Sequence, residues 1–161
     1  MTPRLATARA IALAVPTALI LGALGSQVIG GLYPCEMCHW QRWPHYAAIP
    51  LALLAIVLRV QPAGRLLLAL AALAILSSGA IGLFHAGVEY GWWEGLTTCS
   101  TVAAAGGTAD DMLRNIMAAP VVRCDAPQWS LAGISLAGFN AIISIGAALT
   151  IFTLMTRSRQ P

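Results

Sequence analysis

Four long stretches of this chain contain no Asp, Glu, Lys or Arg and are mostly apolar. They lie between Arg9 and Glu36, Arg42 and Arg59, Arg65 and Glu89, and Asp125 and Arg157. A helix needs roughly 17–25 apolar residues to cross the hydrocarbon core of a bilayer. Inside lipid, only helices and closed barrels satisfy every backbone polar group. The first, third and fourth stretches meet the length easily. The second, with about 16 residues, crosses if its helix begins a turn earlier and Arg42 sits at headgroup level. Pro44 then falls in the first turn, where its missing N–H costs little, and Pro50 kinks the helix. The expected fold is all-α: a transmembrane four-helix bundle forming a single membrane domain over 1–161, with spans at roughly 10–31, 42–58, 66–87 and 130–155.

Composition supports a membrane solvent. Only 9% of residues are charged and 58% are hydrophobic, with a mean hydropathy of +0.77, whereas soluble domains carry about 25% charge. That excludes a disordered chain, a nucleic-acid binder and an ordinary cytosolic enzyme.

The charges that remain set the orientation. Every basic residue is an arginine. Arg4, Arg9, Arg59, Arg65, Arg157 and Arg159 fall on one side of the four spans. Arg42, Arg114, Arg123 and all six acids fall on the other. The positive-inside rule places 1–9, 59–65 and 156–161 in the cytoplasm and the loops 32–41 and 88–129 outside. The N-terminal stretch also has the look of a signal peptide, with Arg4 and Arg9 ahead of an apolar run. That run is long enough to span and no A-x-A site follows, so a span is expected there.

All five tryptophans sit on the outer side or at its interface, as an aromatic belt or as an added cluster around a ring-shaped ligand. In the second loop, Thr108-Ala109-Asp110-Asp111 reads as a capping-box start. Met112, Leu113, Ile116 and Met117 follow on one face, so a short helix lying on the membrane surface is expected. Gly22, Gly25, Gly79 and Gly82 suit close helix packing.

The four cysteines, Cys35, Cys38, Cys99 and Cys124, all land on the outer side, where disulfides form. Their number allows three connectivities. Cys35-Glu36-Met37-Cys38 closes too small a ring to restrain an unfolded chain, so thiol–disulfide exchange or metal binding is its usual work. A helix beginning near Cys38, with Arg42 one turn on, favours the thiolate that attacks in exchange. Cys99 and Cys124 suit either a staple of the polar loop, worth about 3 kcal/mol, or a second, exposed redox pair. Two dithiols on one membrane face allow electrons to pass in steps from a soluble donor to a membrane acceptor.

The run Tyr33-Pro34-Cys35-Glu36-Met37-Cys38-His39-Trp40-Gln41-Arg42, followed by a helix and a later outer cysteine pair, resembles the signature of the bacterial disulfide bond formation protein B (DsbB) family. The likeness extends over nearly the whole chain. It implies a multi-pass protein of the bacterial inner membrane that reoxidises a periplasmic DsbA-like thiol oxidase and reduces a quinone, either ubiquinone or menaquinone. The implied redox-active disulfides are Cys35–Cys38 and Cys99–Cys124. By position, Cys99 is the sulfur that the partner attacks, Cys124 leaves and passes electrons to Cys35, and Cys38 faces the quinone. Arg42 and His85 are the implied cofactor-binding residues, and no metal is implied.

The physical chemistry agrees with that implication. A DsbA-like oxidant stands at about −120 mV, so only a more oxidising sink draws electrons from it. A quinone partitions into the bilayer, and an interfacial arginine can stabilise the negative charge that reduction places on its oxygens. The competing reading is a haem- or metal-binding membrane four-helix protein with structural disulfides. In it, His45 and His85 serve as axial ligands, or Cys35, Cys38 and His39 join a zinc site. His39 and His45 otherwise read as interface residues.

Overall fold

The computed structural model describes residues 3–96, 108, 110, 113–114, 117 and 122–158. Four long helices account for most of them: α1 over Pro3–Val28, α2 over Glu36–Val57, α3 over Pro62–Glu89 and α4 over Leu136–Arg157. A two-residue antiparallel hairpin, β1 (Ser130–Leu131) and β2 (Ile134–Ser135), precedes α4, with Ser130 opposite Ser135 and Leu131 opposite Ile134. Helices α1, α3 and α4 are long and apolar enough to cross a membrane. α2 is long, but its first turns carry Glu36, His39 and Arg42. Cys99 and most of the surface helix expected after Thr108 lie outside the described residues.

Burial runs opposite to that of a soluble bundle. Large apolar side chains such as Leu21, Leu53, Leu66, Leu83, Ile142 and Leu149 face outward. Between the helices one cluster is built largely of alanine, including Ala8, Ala12, Ala48, Ala52, Ala71 and Ala148, closed by Leu68, Ile75 and Ile151. In lipid there is no water to drive large side chains inward. Association then rests on close contact, which small residues permit. Gly79 and Gly82 mark the closest approach of α3 to α4. A Cβ on Gly82 would meet Asn140 Nδ2 at 2.9 Å and the Ala137 carbonyl at 3.0 Å. Gly22 and Gly25 do not act this way, because nothing lies within 4 Å of a Cβ on either.

Two helix ends position the outer face. Cys35 is the N-cap of α2, in extended conformation, and its sulfur accepts from the Cys38 backbone N–H at 3.3 Å. A thiol thus does what Ser or Asp usually does at a cap. The cap starts the helix at Glu36, so Pro44 falls in its interior rather than its first turn. One residue past the Trp40 carbonyl that Pro44 leaves without its helical donor, the Ser78 hydroxyl donates to the Gln41 carbonyl at 2.7 Å and ties α3 to α2.

At the end of α3, Gly91 takes φ +70°. Its N–H bonds to the Val88 carbonyl and that of Trp92 to the Gly87 carbonyl, a Schellman ending. The chain folds back so that Trp93 stacks on Phe84 with centroids 5.7 Å apart and donates to the Phe84 carbonyl at 2.9 Å. Trp93 fills the space over Gly87 that a Cβ would occupy. The Tyr90 hydroxyl donates to the Gly133 carbonyl and accepts from the Ser135 N–H, tying α3 to the hairpin. Gln128 donates to the Tyr33 carbonyl at 2.6 Å, joining the two outer segments.

Candidate functional site: a cysteine cluster above a polar layer and a cavity

Cys35 and Cys38 are free thiols with sulfurs 2.9 Å apart, and the Cys35 thiol donates to Cys38. Cys35 caps α2 and Cys38 lies in its first turn. Their shared hydrogen bond splits their acidities. As donor, and further through burial, Cys35 is pushed well above the usual thiol range, while Cys38, as acceptor, is drawn below it. Cys124 is disulfide-bonded and packs in one buried cluster with Cys35, Met37 and Val88. Arg123 and Asp125 flank it and pair with each other at 2.8 and 2.6 Å.

His85 stands behind this cluster. Its Nδ1 accepts from Gln41 Nε2 at 2.8 Å, so the proton of the neutral ring belongs on Nε2. That nitrogen faces the Cys35 sulfur at 3.6 Å and the Glu89 carboxylate at 3.8 Å. A further hydrogen bond joins the ring to the Cys124 backbone. Glu89, whose side chain is 7% exposed, also bonds to Ser135.

Below lies a buried polar layer. Asn140 Nδ2 donates to Gln41 Oε1 at 2.9 Å, and His45 Nε2 faces Asn140 Oδ1 at 3.0 Å and Ser78 Oγ at 2.9 Å. The Ser78 proton is already given to the Gln41 carbonyl, so His45 Nε2 meets two acceptors and carries its own proton. His45 Nδ1 is then a bare acceptor, buried and without a partner among the described residues. Gln41 and Asn140 stand between His45 and His85, so the two imidazoles do not face each other as an axial pair. His39 is exposed.

One of two cavities near the cysteines meets this layer. The larger, about 250 Å³, lies among α1, α2 and α4. Its wall is largely apolar, with Leu19, Ile20 and Phe139, and its polar groups include Cys38, Arg42, His45 and Asn140. The Arg42 guanidinium crosses to α1, donating to Gln27 Oε1 at 2.9 Å and the Ala23 carbonyl at 3.4 Å. The smaller cavity, about 50 Å³, is lined by Cys35, Cys38, Arg42, His85 and Glu89. Cys38 and Arg42 therefore line both, while Cys35 and His85 line only the smaller. The larger cavity is apolar with a few convergent polar groups, the usual make-up of a small-molecule site.

Sequence reasoning named Cys35, Cys38, Cys99, Cys124, Arg42 and His85; the fold brings all but Cys99, which lies outside the described residues, to one end of the bundle. It passed over Gln41, Ser78, Asn140 and Ser144 and read His45 as an interface residue. Polar residues one turn apart inside apolar spans, Gln41 with His45 and Asn140 with Ser144, were the available signal.

Comparison with known proteins places these features. The family profile described as Disulfide bond formation protein DsbB matches residues 5–154. The uncharacterized protein RP370 of Rickettsia prowazekii is 27% identical over 114 residues, covering 70% of this chain. The chain spans 65% of the length of that relative. No solved structure matches the chain.

Proposed function

This chain belongs to the DsbB family of disulfide bond formation proteins, and on that premise we propose that it is a membrane disulfide oxidoreductase. It takes electrons from a reduced DsbA-like thiol oxidase in the bacterial periplasm and passes them through two cysteine pairs to a quinone, ubiquinone or menaquinone. The observation that carries this reading is directional. Cys124 packs against Cys35, and Cys38 opens on the larger cavity beside Arg42.

The partner thiolate attacks Cys99 and releases Cys124. Four cysteines, two of them free thiols, support Cys99 as the partner of disulfide-bonded Cys124. A second attack by the partner leaves its own disulfide and the Cys99–Cys124 dithiol. Cys124 then exchanges with the oxidised Cys35–Cys38 pair, and two electrons and two protons reach that pair as thiols. His85 Nε2–H is placed to donate to the Cys35 sulfur as charge arrives there. The lowered pKa of Cys38 favours its thiolate and makes it the nucleophile toward the cavity.

A bound quinone would supply the two-electron acceptor, leaving as quinol with both thiol protons. Arg42 would hold one oxygen by a charge-assisted hydrogen bond. The bare Nδ1 of His45 suits a hydroxyl of the reduced ring. The outer side of the bundle, by the arginine distribution, is the periplasmic side.

The test is anaerobic mixing of the fully reduced protein with a short-chain quinone. One quinol should form for each disulfide closed, two per chain. Thiols that stay reduced would overturn the reading. A second reading has one observation behind it: ligand atoms of Cys35, Cys38 and His85 lie within 4.8 Å of one another, as in a metal site. Stoichiometric zinc in the purified protein, with both thiols protected from alkylation, would favour that alternative.

A further inference from the structure

The end of the bundle opposite the cysteines carries positive charge with no carboxylate among the described residues to answer it. No acid occurs before Glu36, among residues 37–88, or after Asp125. Arg4, Arg9, Arg59, Arg65 and Arg157 all gather at that end. Arg4 donates to the Arg157 carbonyl at 2.8 Å and Arg65 to the Ser158 hydroxyl at 3.3 Å, which joins α1 and α3 to the end of α4. These bonds are to neutral acceptors and leave the charges uncompensated.

Arg9 differs from an ordinary headgroup-facing arginine. It is only 3% exposed. Its Nη2 donates to the Arg59 carbonyl at 3.2 Å, just past the end of α2. Among the described residues, its Nε and Nη1 are buried with no partner. Arg59 and Arg65 are near enough to act on it electrostatically, and both repel it. The C-terminal end of α2 offers about half a negative charge, which is less than one of the three cations. Buried charges are retained when they are paired and hydrogen-bonded, and among the described residues no carboxylate stands at that end to do it. An anion from outside the chain would supply the counter-charge.

We propose that Arg9, Arg59 and Arg65 form an anion site for a phosphate group, with exposed Arg59 and half-buried Arg65 reaching the oxygens and Arg9 supplying charge from behind. Guanidinium groups suit phosphate because their N–H fork matches its oxygens. Two sources share that chemistry: the phosphodiester of an anionic lipid in the adjoining leaflet and free inorganic phosphate. Basic pockets between membrane helices on the cytoplasmic side are known hosts of anionic headgroups. This site lies at the opposite end from the cysteines, so it stands or falls independently of the quinone reading.

The experiment uses the whole chain in neutral detergent micelles. Its thermal unfolding is followed while phosphatidylglycerol, phosphatidylcholine or inorganic phosphate is added, and native mass spectrometry counts the lipid retained. A saturable rise in midpoint with phosphatidylglycerol, absent with phosphatidylcholine and weakened by salt, is expected for the lipid source. The same rise with inorganic phosphate assigns the free anion instead. Arg9→Gln should weaken the response at least tenfold while Arg9→Lys keeps most of it. Should Arg9→Gln fail to fold, Arg59→Gln with Arg65→Gln should show the same loss. Equal response to both lipids with none to phosphate, or wild-type affinity in these variants, would overturn the proposal.

Discussion

Replacing Arg42 separates a ligand-holding role from a merely structural one. Its guanidinium makes one good hydrogen bond, to Gln27 at 2.9 Å, and one at the limit of useful length, to the Ala23 carbonyl at 3.4 Å. A hydrogen bond from a charged donor contributes about 1.5–3 kcal/mol, and the long one adds little. Arg42 also lines the cavity beside Cys38, so its remaining donors are available to a ligand oxygen. Lysine could hold Gln27 or the ligand, but not both in the planar geometry of arginine. Losing one charge-assisted bond to the ligand corresponds to about ten- to a hundredfold in quinone affinity or turnover. Both Arg42→Lys and Arg42→Ala should show this in steady-state quinone titrations, while the mixed disulfide at Cys99 still forms. Gln27→Leu is the control. It removes the tie between α1 and α2 and should lower stability by about 1–2 kcal/mol with a smaller effect on quinone. Wild-type quinone kinetics in Arg42→Ala would refute the reasoning, as would an equal loss in Gln27→Leu.

The two cysteine pairs should fail differently. Cys99→Ser should abolish reaction with the soluble thiol oxidase yet leave Cys35 and Cys38 oxidisable by quinone, whereas Cys38→Ser should stop quinone reduction. Full turnover in both would dismiss the relay. In the reduced protein, Cys38 should alkylate before Cys35. Its pKa lies below the ordinary value of 9.0, so its rate should hold as pH falls through 9 and drop only through its own lower value. Rates by mass spectrometry across pH check this, and Cys35 reacting first would contradict it. Gly82→Val should cost about 1–3 kcal/mol by overpacking, because its Cβ meets backbone and Asn140, whereas Gly25→Ala finds open space. Thermal midpoints that fall equally in the two would show that α3 and α4 do not pack this closely.

The helices were legible because charge is so scarce that each charge-free run is conspicuous. Their ends were less so. That α2 starts at Glu36 depends on the Cys35 sulfur capping Cys38 N–H, and cysteine is not among the residues whose sequence announces a cap. The hairpin at 130–135 turns at Ala132 and Gly133, both with positive φ. Alanine is a poor signal for that turn, which Asn-Gly usually marks. Within the site, the C-x-x-C and Arg42 were readable from local spacing. The polar layer was not, because it forms only when Gln41 and His45 on α2 meet Ser78 on α3 and Asn140 on α4. The meeting of Cys124 with Cys35 is likewise a tertiary contact between distant loops, set by Tyr90, Gln128 and the fold-back at Gly91.

The central claim is that electrons travel from a soluble thiol to a membrane quinone through this chain. The most direct measurement mixes reduced DsbA-type thiol oxidase, the purified protein in detergent and a short-chain quinone, following quinol formation and partner thiols together. The account predicts catalytic, quinone-dependent loss of two partner thiols per quinol formed. Quinone that stays oxidised while the partner remains reduced, in the presence of folded protein, would contradict it.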